Sequence, residues 1–349
     1  MYKKGLFIFL YLDKYMKKLN LIIILFFFAF TTNANTLDDV KNRQYLKCGV
    51  SDGLIGFAAP NAKGEWVGFD IDICRAVSAA IFGNSQSVEF IITTSRSRFP
   101  ILASGEIDLL VRNTTWTFSR DTNLGFEFAG INFYDGQGFM VPKSLRVSNV
   151  NELNGATVCI ESGSAKEFNL NDFFSKNNII FNPLLVEIDE DAIENYLAKR
   201  CDVYTNLVSE LAVLRTKIPI PSNHIILPEI ISKEPLGPLV RHGDNEWADI
   251  IRWSLNAMII AEELGITSEN IDEHLDSNNH EILRLLGIEG NYGDMLELYY
   301  KWAYNIIKQV GNYSSVFDRN IGLDSALRLN RGVNALWTQG GMLYSPPLR

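Results

Sequence analysis

A chain of 349 residues with 47% hydrophobic and 21% charged side chains has ample material for a buried core, and its length calls for two lobes rather than one. The net charge of −9 argues against a nucleic-acid partner, because phosphate binding needs a basic face. Four cysteines without a C-x-x-C pair and four histidines without zinc-ligand spacing argue against a metal site, and no cofactor is expected.

Residues 1–34 read as a secretory signal. Lys17 and Lys18 precede an apolar run over 19–30 that only Asn20 interrupts, and Thr32 and Ala34 supply small residues at signal-peptidase spacing. Met16 opens this pattern, so residues 1–15 read as a start-site artefact. The competing reading is a membrane anchor, but the run falls short of the roughly 20 residues a spanning helix needs. No cysteine stands at the cleavage point to take a lipid. The expected mature protein is therefore soluble and periplasmic. In that oxidising compartment an even cysteine set predicts disulfides. Cys48 ends a strand signal and Cys74 lies on the next helix, while Cys159 and Cys201 lie in two strand-like segments separated by one helix. These local relations favour Cys48–Cys74 and Cys159–Cys201 among the three possible pairings, with four free buried thiols as the alternative.

From Thr36 the chain alternates strand and helix signals. A short capped helix leads to a strand over 45–50, then a loop over 51–64 rich in glycine and proline. Phe57 in that loop is either an anchor buried in its own lobe or a wall for a ligand. The stretch from Gly68 to Asp72 opens a helix to about Phe82, with Ile73, Cys74, Val77 and Ile81 on one face. Asp70 and Asp72 sit in its first turn, where acids complement the helix dipole. A strand over 87–92, a short helix over 97–104 and a strand over 107–111 complete a β-α-β-α-β unit, the signature of a parallel sheet. Directly after the last strand come Arg112, Asn113, Thr114, Thr115 and Trp116, with Arg120 close behind. Open α/β sheets bind ligands at the carboxyl ends of their strands, and guanidinium groups pair with carboxylate or phosphate through two parallel bonds.

The glycine-bearing segment INFYDGQGFMV (131–141) reads as a strand at a crossover. A second β-α-β-α-β unit follows, with strands over 156–160, 179–186 and 201–205 and helices from about Lys166 and over 189–199. Two copies of one architecture predict two similar lobes. A long helix over 244–264 carries a buried stripe of Trp247, Ile250, Ile251, Leu255, Met258 and Ile259, and further helices are expected over 272–286, 294–310 and 324–337. Trp302, Tyr304, Trp337 and Tyr344 read as packing residues.

The segments VGFDIDICRAVSAAIFG, RNTTWTFSRDTNLGFEFAG, NFYDGQGFMVPKS, LPEIISKEPLGP and RGVNALWTQGGMLYSPP give the mature chain a specific likeness. It resembles the periplasmic solute-binding proteins of polar amino-acid ABC transporters, most closely the general L-amino-acid-binding subgroup, and all four cysteines match positions that subgroup carries. The resemblance implies a type II periplasmic-binding-protein fold, α/β, with two doubly wound lobes joined by a two-segment hinge. Lobe one would span 36–140 plus 232–349 with a C-terminal helical extension, lobe two 143–228, and the hinge segments would lie near 139–143 and 230–234. It further implies capture of an L-amino acid between the lobes by a monomer, delivery to an inner-membrane ABC permease, and no catalysis. Arg120 matches the arginine that holds the ligand carboxylate. Asn113 and Thr115, with Arg112 adjacent, match the other lobe-one contacts, and Phe57 matches an aromatic that packs on the ligand side chain. Ser164 and Ala165 match the helix start whose backbone N–H groups meet the carboxylate.

One position departs from the family pattern. The aspartate that neutralises the ligand's α-ammonium aligns with Leu207, beside Asn206 and three residues before Glu210, and burying an ammonium without a carboxylate is costly. Either Glu210 or another acid substitutes, or the ligand is not a standard α-amino acid. The same scaffold also serves periplasmic dehydratases of prephenate-like acids (cyclohexadienyl or arogenate type), for which Glu161 or Glu210 would be the general acid, and ligand-binding sensor modules. No nucleophile elbow or histidine motif supports catalysis.

Overall fold

The computed structural model describes residues 35–349, so the expected signal segment lies outside the described residues. In chain order the first elements are helix α1 (Thr36–Arg43), strand β1 (Leu46–Val50), the small strands β2 (Ala59–Pro60) and β3 (Trp66–Val67), helix α2 (Phe69–Phe82), strand β4 (Val88–Ile92), helix α3 (Arg98–Ser104) and strand β5 (Leu109–Leu110). The alternation seen in the sequence becomes parallel pairing, with β1 hydrogen-bonded between β4 and β5. The buried face of α2 carries Ile73, Cys74 and Val77 as its spacing predicts, and Gly83 closes the helix in the left-handed conformation at φ 65°. Gly68 opens it at φ 138°, and a Cβ there would lie 2.1 Å from the carbonyl oxygen of Phe57. Only glycine permits that approach, which lets the loop before β2 rest on the helix start.

Helix α4 (Phe118–Asn123) and strands β6 (Phe126–Phe128), β7 (Phe133–Asp135) and β8 (Gln137–Pro142) follow, then β9 (Thr157–Glu161), α5 (Ala165–Lys176), β10 (Asn182–Val186), α6 (Asp189–Leu197), β11 (Val203–Leu207), α7 (Val208–Lys217) and β12 (His224–Ile226). The chain then returns through β13 (Glu234–Leu236) and β14 (Leu239–Arg241) to helices α8 (Asn245–Glu263), α9 (His280–Leu285), α10 (Trp302–Gln309) and α11 (Tyr313–Asn320). Two five-stranded sheets result. The first has the order β4-β1-β5-β14-β6 and the second β10-β9-β11-β8-β12. Each is the centre of one lobe, and the fold is the type II periplasmic-binding-protein architecture.

A two-stranded antiparallel ribbon of β7 and β13 stands where the chain crosses between the sheets. The first crossing falls at Gly136, earlier than the expected 139–143, because Phe139, Met140 and Val141 are buried in the second sheet along the length of β8. A Cβ on Gly136 would lie 2.2 Å from Ile230 Cγ2, so the two crossing segments touch there. The second crossing lies between β12 and β13.

The stripe on α8 is buried throughout. The helix expected over 324–337 is absent, because Arg328 and Gly332 take positive φ within it; α11 forms earlier, where Asn312 caps it at the Ser315 N–H and Tyr313, Val316 and Phe317 give an i, i+3, i+4 buried face. The helices expected over 272–286 and 294–310 shorten to α9 and α10, each preceded by a 3-10 turn. Trp302 is buried, whereas Trp337 and Tyr344 are exposed and pack edge-on against each other. Disulfides join Cys48 to Cys74 and Cys159 to Cys201, leaving no free cysteine among the described residues. No helix among them is long and apolar enough to cross a membrane.

Candidate ligand site between the lobes

The carboxyl ends of β1, β5, β9 and β11 converge on a cavity of about 390 Å³, the place where open α/β sheets present ligand sites. Arg112, Asn113, Thr115 and Arg120 line it from lobe one, and Ser164 and Ala165 from lobe two. Phe57 does not. Its ring is fully buried and packs edge-on against Phe69 and Phe133, so it anchors its loop in the lobe-one core and the ligand-wall reading is corrected. Trp116 stacks on Phe128 at 5.1 Å and serves packing.

On the lobe-one side the polar groups after β5 are held in place by other polar groups. Arg112 donates from Nε to the Thr93 carbonyl at 2.9 Å and from Nη1 to Ser95 Oγ at 3.1 Å, and its Nη2 lies 3.6 Å from Glu161 Oε1 across the cleft. Asn113 takes φ 34°, a region asparagine tolerates better than most residues, and its amide donates to Glu210 Oε1 at 2.8 Å. Its backbone N–H meets Asp70, whose burial pushes the carboxyl up to about 8. The Thr115 hydroxyl donates to Glu234, which also accepts from Asn169 of lobe two, so one hinge carboxylate ties both lobes. Thr115 presents its backbone to Arg120, whose Nη1 donates to the Thr115 carbonyl at 3.0 Å.

Arg98 and Arg120 are almost wholly buried and flank the ring of Phe99 at 4.8 and 5.4 Å. Neither guanidinium forms an ion pair among the described residues; Arg98 has only Thr114 Oγ1, at 3.4 Å, and its Nε has no partner. Burial, reinforced by repulsion from Arg112, pulls Arg98 well below the ordinary arginine range, and burial pulls Arg120 down to about 10 against the attraction of Glu234. Two desolvated cations facing a cavity are strained until an anion arrives.

Lobe two answers with carboxylates and one lysine. Ser164 precedes α5 and donates its hydroxyl to the Glu161 carbonyl at 2.7 Å, fixing the turn at a helix start whose first N–H groups lack intrahelical partners and whose Ser164 and Ala165 line the cavity. Lys166 lies in that first turn. Its Nζ is 2.6 Å from Asn206 Oδ1, 3.4 Å from both Glu161 Oε2 and Asp189 Oδ1, and 3.8 Å from Glu210 Oε2. Burial opposes the lysine charge, but Asp189, Glu210 and Glu161 outweigh it and hold the ammonium protonated. Glu161 is lowered because Lys166 and Arg112 overcome its own desolvation. Glu210 goes the other way. Burial, with Asp189 and Glu161 nearby, pushes it up to about 7 despite Lys166.

Leu207 lines the cavity and is nearly buried, and the acid beside it is Glu210, which reaches in from the first turn of α7. The raised value of Glu210 makes a prediction. A carboxyl whose folded pKa exceeds its unfolded one adds stability fully present below about pH 4.5 and lost as pH rises through about 7. Glu210→Gln has no such loss. Urea titrations are expected to show this variant gaining on the wild type, by up to roughly 3 kcal/mol, between about pH 5 and pH 8; a gap that stays constant with pH contradicts the assignment.

The sequence reading did not single out Arg98, Lys166, Asp189 or Asn206 as site residues. A signal existed for two of them. Arg98 and Lys166 stand in the first turns of their helices, where the dipole disfavours cations, so each needs a compensating reason to be there.

The family described as bacterial extracellular solute-binding proteins, family 3, matches residues 46–269. The "General L-amino acid-binding periplasmic protein AapJ" of Rhizobium johnstonii is 52% identical over 323 residues, covering 92% of this chain and 95% of that protein. The "Glutamate/glutamine/aspartate/asparagine-binding protein BztA" of Rhodobacter capsulatus is 51% identical over 322 residues, with the same two coverages of 92% and 95%. Among solved structures, an ABC transporter periplasmic binding protein from Brucella ovis with glutathione bound superposes with a TM-score of 0.88 at 50% identity, over 90% of this chain and 99% of that one. With more than half of the chain matched by the family and nearly all of it by these relatives, the protein belongs to the family 3 bacterial extracellular solute-binding proteins.

Proposed function

We propose that the protein is the substrate-binding component of an ABC transporter, that it works as a periplasmic monomer, and that it captures L-amino acids between its lobes for delivery to an inner-membrane permease. The observation that carries this reading is the pair of buried guanidiniums, Arg98 and Arg120, that face the interlobe cavity without an ion-pair partner among the described residues. Arg120 is assigned to the ligand carboxylate, joined by the N–H groups at Ser164 and Ala165, as helix starts accept anions. Asn113 and Thr115 shape the lobe-one wall, Arg112 steadies Glu161, and the unbonded Oε2 of Glu210 takes the α-ammonium in place of the absent aspartate. The relatives' names, which refer to amino acids, support the ligand class.

The two sheets with the β7–β13 ribbon between them support a hinge at Gly136 and between β12 and β13. Ligand-bridged closure would shift the population toward a form the permease recognises. A thermal-shift panel of the twenty amino acids is expected to raise the Tm for at least one, because a ligand bound only by the folded state stabilises it. No shift with any of them, together with turnover of a dicarboxylic cyclohexadiene, would overturn this reading in favour of a dehydratase.

A further inference from the structure

The charges in direct contact around the cavity do not balance. Arg112, Glu161, Lys166, Asp189 and Glu210 form one connected set, in which Glu161 lies between Arg112 at 3.6 Å and Lys166 at 3.4 Å, and Lys166 reaches Asp189 and Glu210 in turn. That set holds two cations and three carboxylates. Arg98 and Arg120 add two further cations without ion pairs, so the buried and half-buried groups that line the cavity number four cations against three carboxylates, while Glu234, buried outside the lining and bonded to Thr115, attracts Arg120 and offsets the difference. Asp52, Glu194 and Lys217 complete the charged lining but are exposed, where solvent screens them.

Within this arrangement Lys166 stands apart. Three carboxylates converging on one point would form a subsite for a ligand cation, and the Lys166 ammonium already lies at that point. Asn206 Oδ1 at 2.6 Å fixes it there, and its side chain is buried, so it cannot withdraw into solvent without unpacking the start of α5. We infer that Lys166 is a specificity-determining residue whose ammonium permanently occupies the point between Glu161, Asp189 and Glu210, leaving Glu210 Oε2 for the ligand's α-ammonium and no carboxylate for a second cation, so that the site selects amino acids with anionic or uncharged polar side chains and rejects those with cationic ones. A cationic side chain entering the cavity meets a resident ammonium and two guanidiniums without ion pairs. An anionic one meets the same cations and is attracted by them. This inference rests on the amino-acid reading of the same cavity.

Calorimetry on the mature protein with L-glutamate, L-glutamine, L-arginine and L-lysine tests it. The wild type is expected to bind glutamate or glutamine and to bind arginine and lysine at least about 100-fold more weakly. Lys166→Met vacates the subsite and exposes its carboxylates, so arginine and lysine are expected to gain at least about tenfold relative to glutamate. Lys166→Gln can still donate to Asn206, and it provides the same comparison if the methionine variant does not fold. Wild-type binding of arginine or lysine as tight as that of glutamate overturns the inference whether or not either variant folds. So does an unchanged ratio in a folded variant. In both cases amino-acid binding itself stands, whereas a wild type that binds none of the four, nor any other amino acid, overturns the inference and the reading beneath it together.

Discussion

Replacing Arg120 with alanine is expected to weaken ligand binding by about 2–5 kcal/mol, or about 30- to 5,000-fold, while leaving the unliganded protein folded. The asymmetry follows from what the side chain touches. Its internal bond is to the Thr115 carbonyl, and it is further attracted by Glu234 and by a cation–π contact with Phe99. Without ligand, the buried charge costs stability, as its lowered pKa of about 10 records. The variant is therefore expected to unfold at the wild-type temperature or slightly above it, with affinity lost. Arg120→Lys separates charge from geometry, because an ammonium keeps the cation but cannot offer two parallel bonds to a carboxylate; intermediate affinity is the expected result. Calorimetry on the three proteins with the best amino acid of the panel measures this. An affinity within about threefold of wild type in Arg120→Ala would transfer the carboxylate to Arg98, the other buried guanidinium without an ion pair.

How much of this site could be read in the sequence depends on how each residue is presented. Arg112, Asn113, Thr115 and Arg120 follow a short aliphatic strand, so a change from apolar to polar over a few positions marked them and the α/β alternation placed them at a strand end. Lys166 and Arg98 carry only the weak signal of a cation in a helix's first turn, and what makes Lys166 a site residue is the arrival of Glu161, Asp189 and Glu210 from elsewhere in the fold. Phe57 shows the opposite failure. An aromatic in a glycine-rich loop presents the same sequence whether it faces a ligand or a core, and only the contact with Phe69 and Phe133 decides. The hinge was displaced for a related reason. Periodicity marks Gln137–Pro142 as a strand but carries nothing about which sheet it joins, and its pairing with β11 assigns it to lobe two. Of the C-terminal helices, those expected over 294–310 and 324–337 are interrupted where Glu297, Arg328 and Gly332 take positive φ, a conformation that ends a helix and that apolar periodicity does not reveal.

Removal of the Cys159–Cys201 bridge is expected to be the most costly covalent change. The two cysteines are 42 residues apart in sequence, and those between them include α5, β10 and α6. On chain-entropy grounds, closing a loop of that length is worth about 4 kcal/mol, against about 3.5 kcal/mol for the 26-residue separation of Cys48 and Cys74. Its position adds a functional consequence. Cys159 stands two residues before Glu161 on β9, and Cys201 precedes β11, which ends at Asn206 and Leu207, so the bond holds together the two strands that present lobe two's side of the cavity. Both sulfurs lie in the small core of Met140, Tyr196, Tyr204 and Leu211, where alanine is a better replacement than serine because a hydroxyl there would lack a partner. A Cys159→Ala/Cys201→Ala protein is expected to lose about 10 °C or more in Tm by calorimetry. The loss should come as an early transition of lobe two, since a two-lobed chain need not unfold in one step. Removing the lobe-one pair in the same way should instead lower the later transition and leave ligand affinity closer to wild type. If the lobe-two variant melts within about 2 °C of the wild type, the bridge contributes little, and the alignment of β9 with β11 must come from their hydrogen bonds and shared core alone.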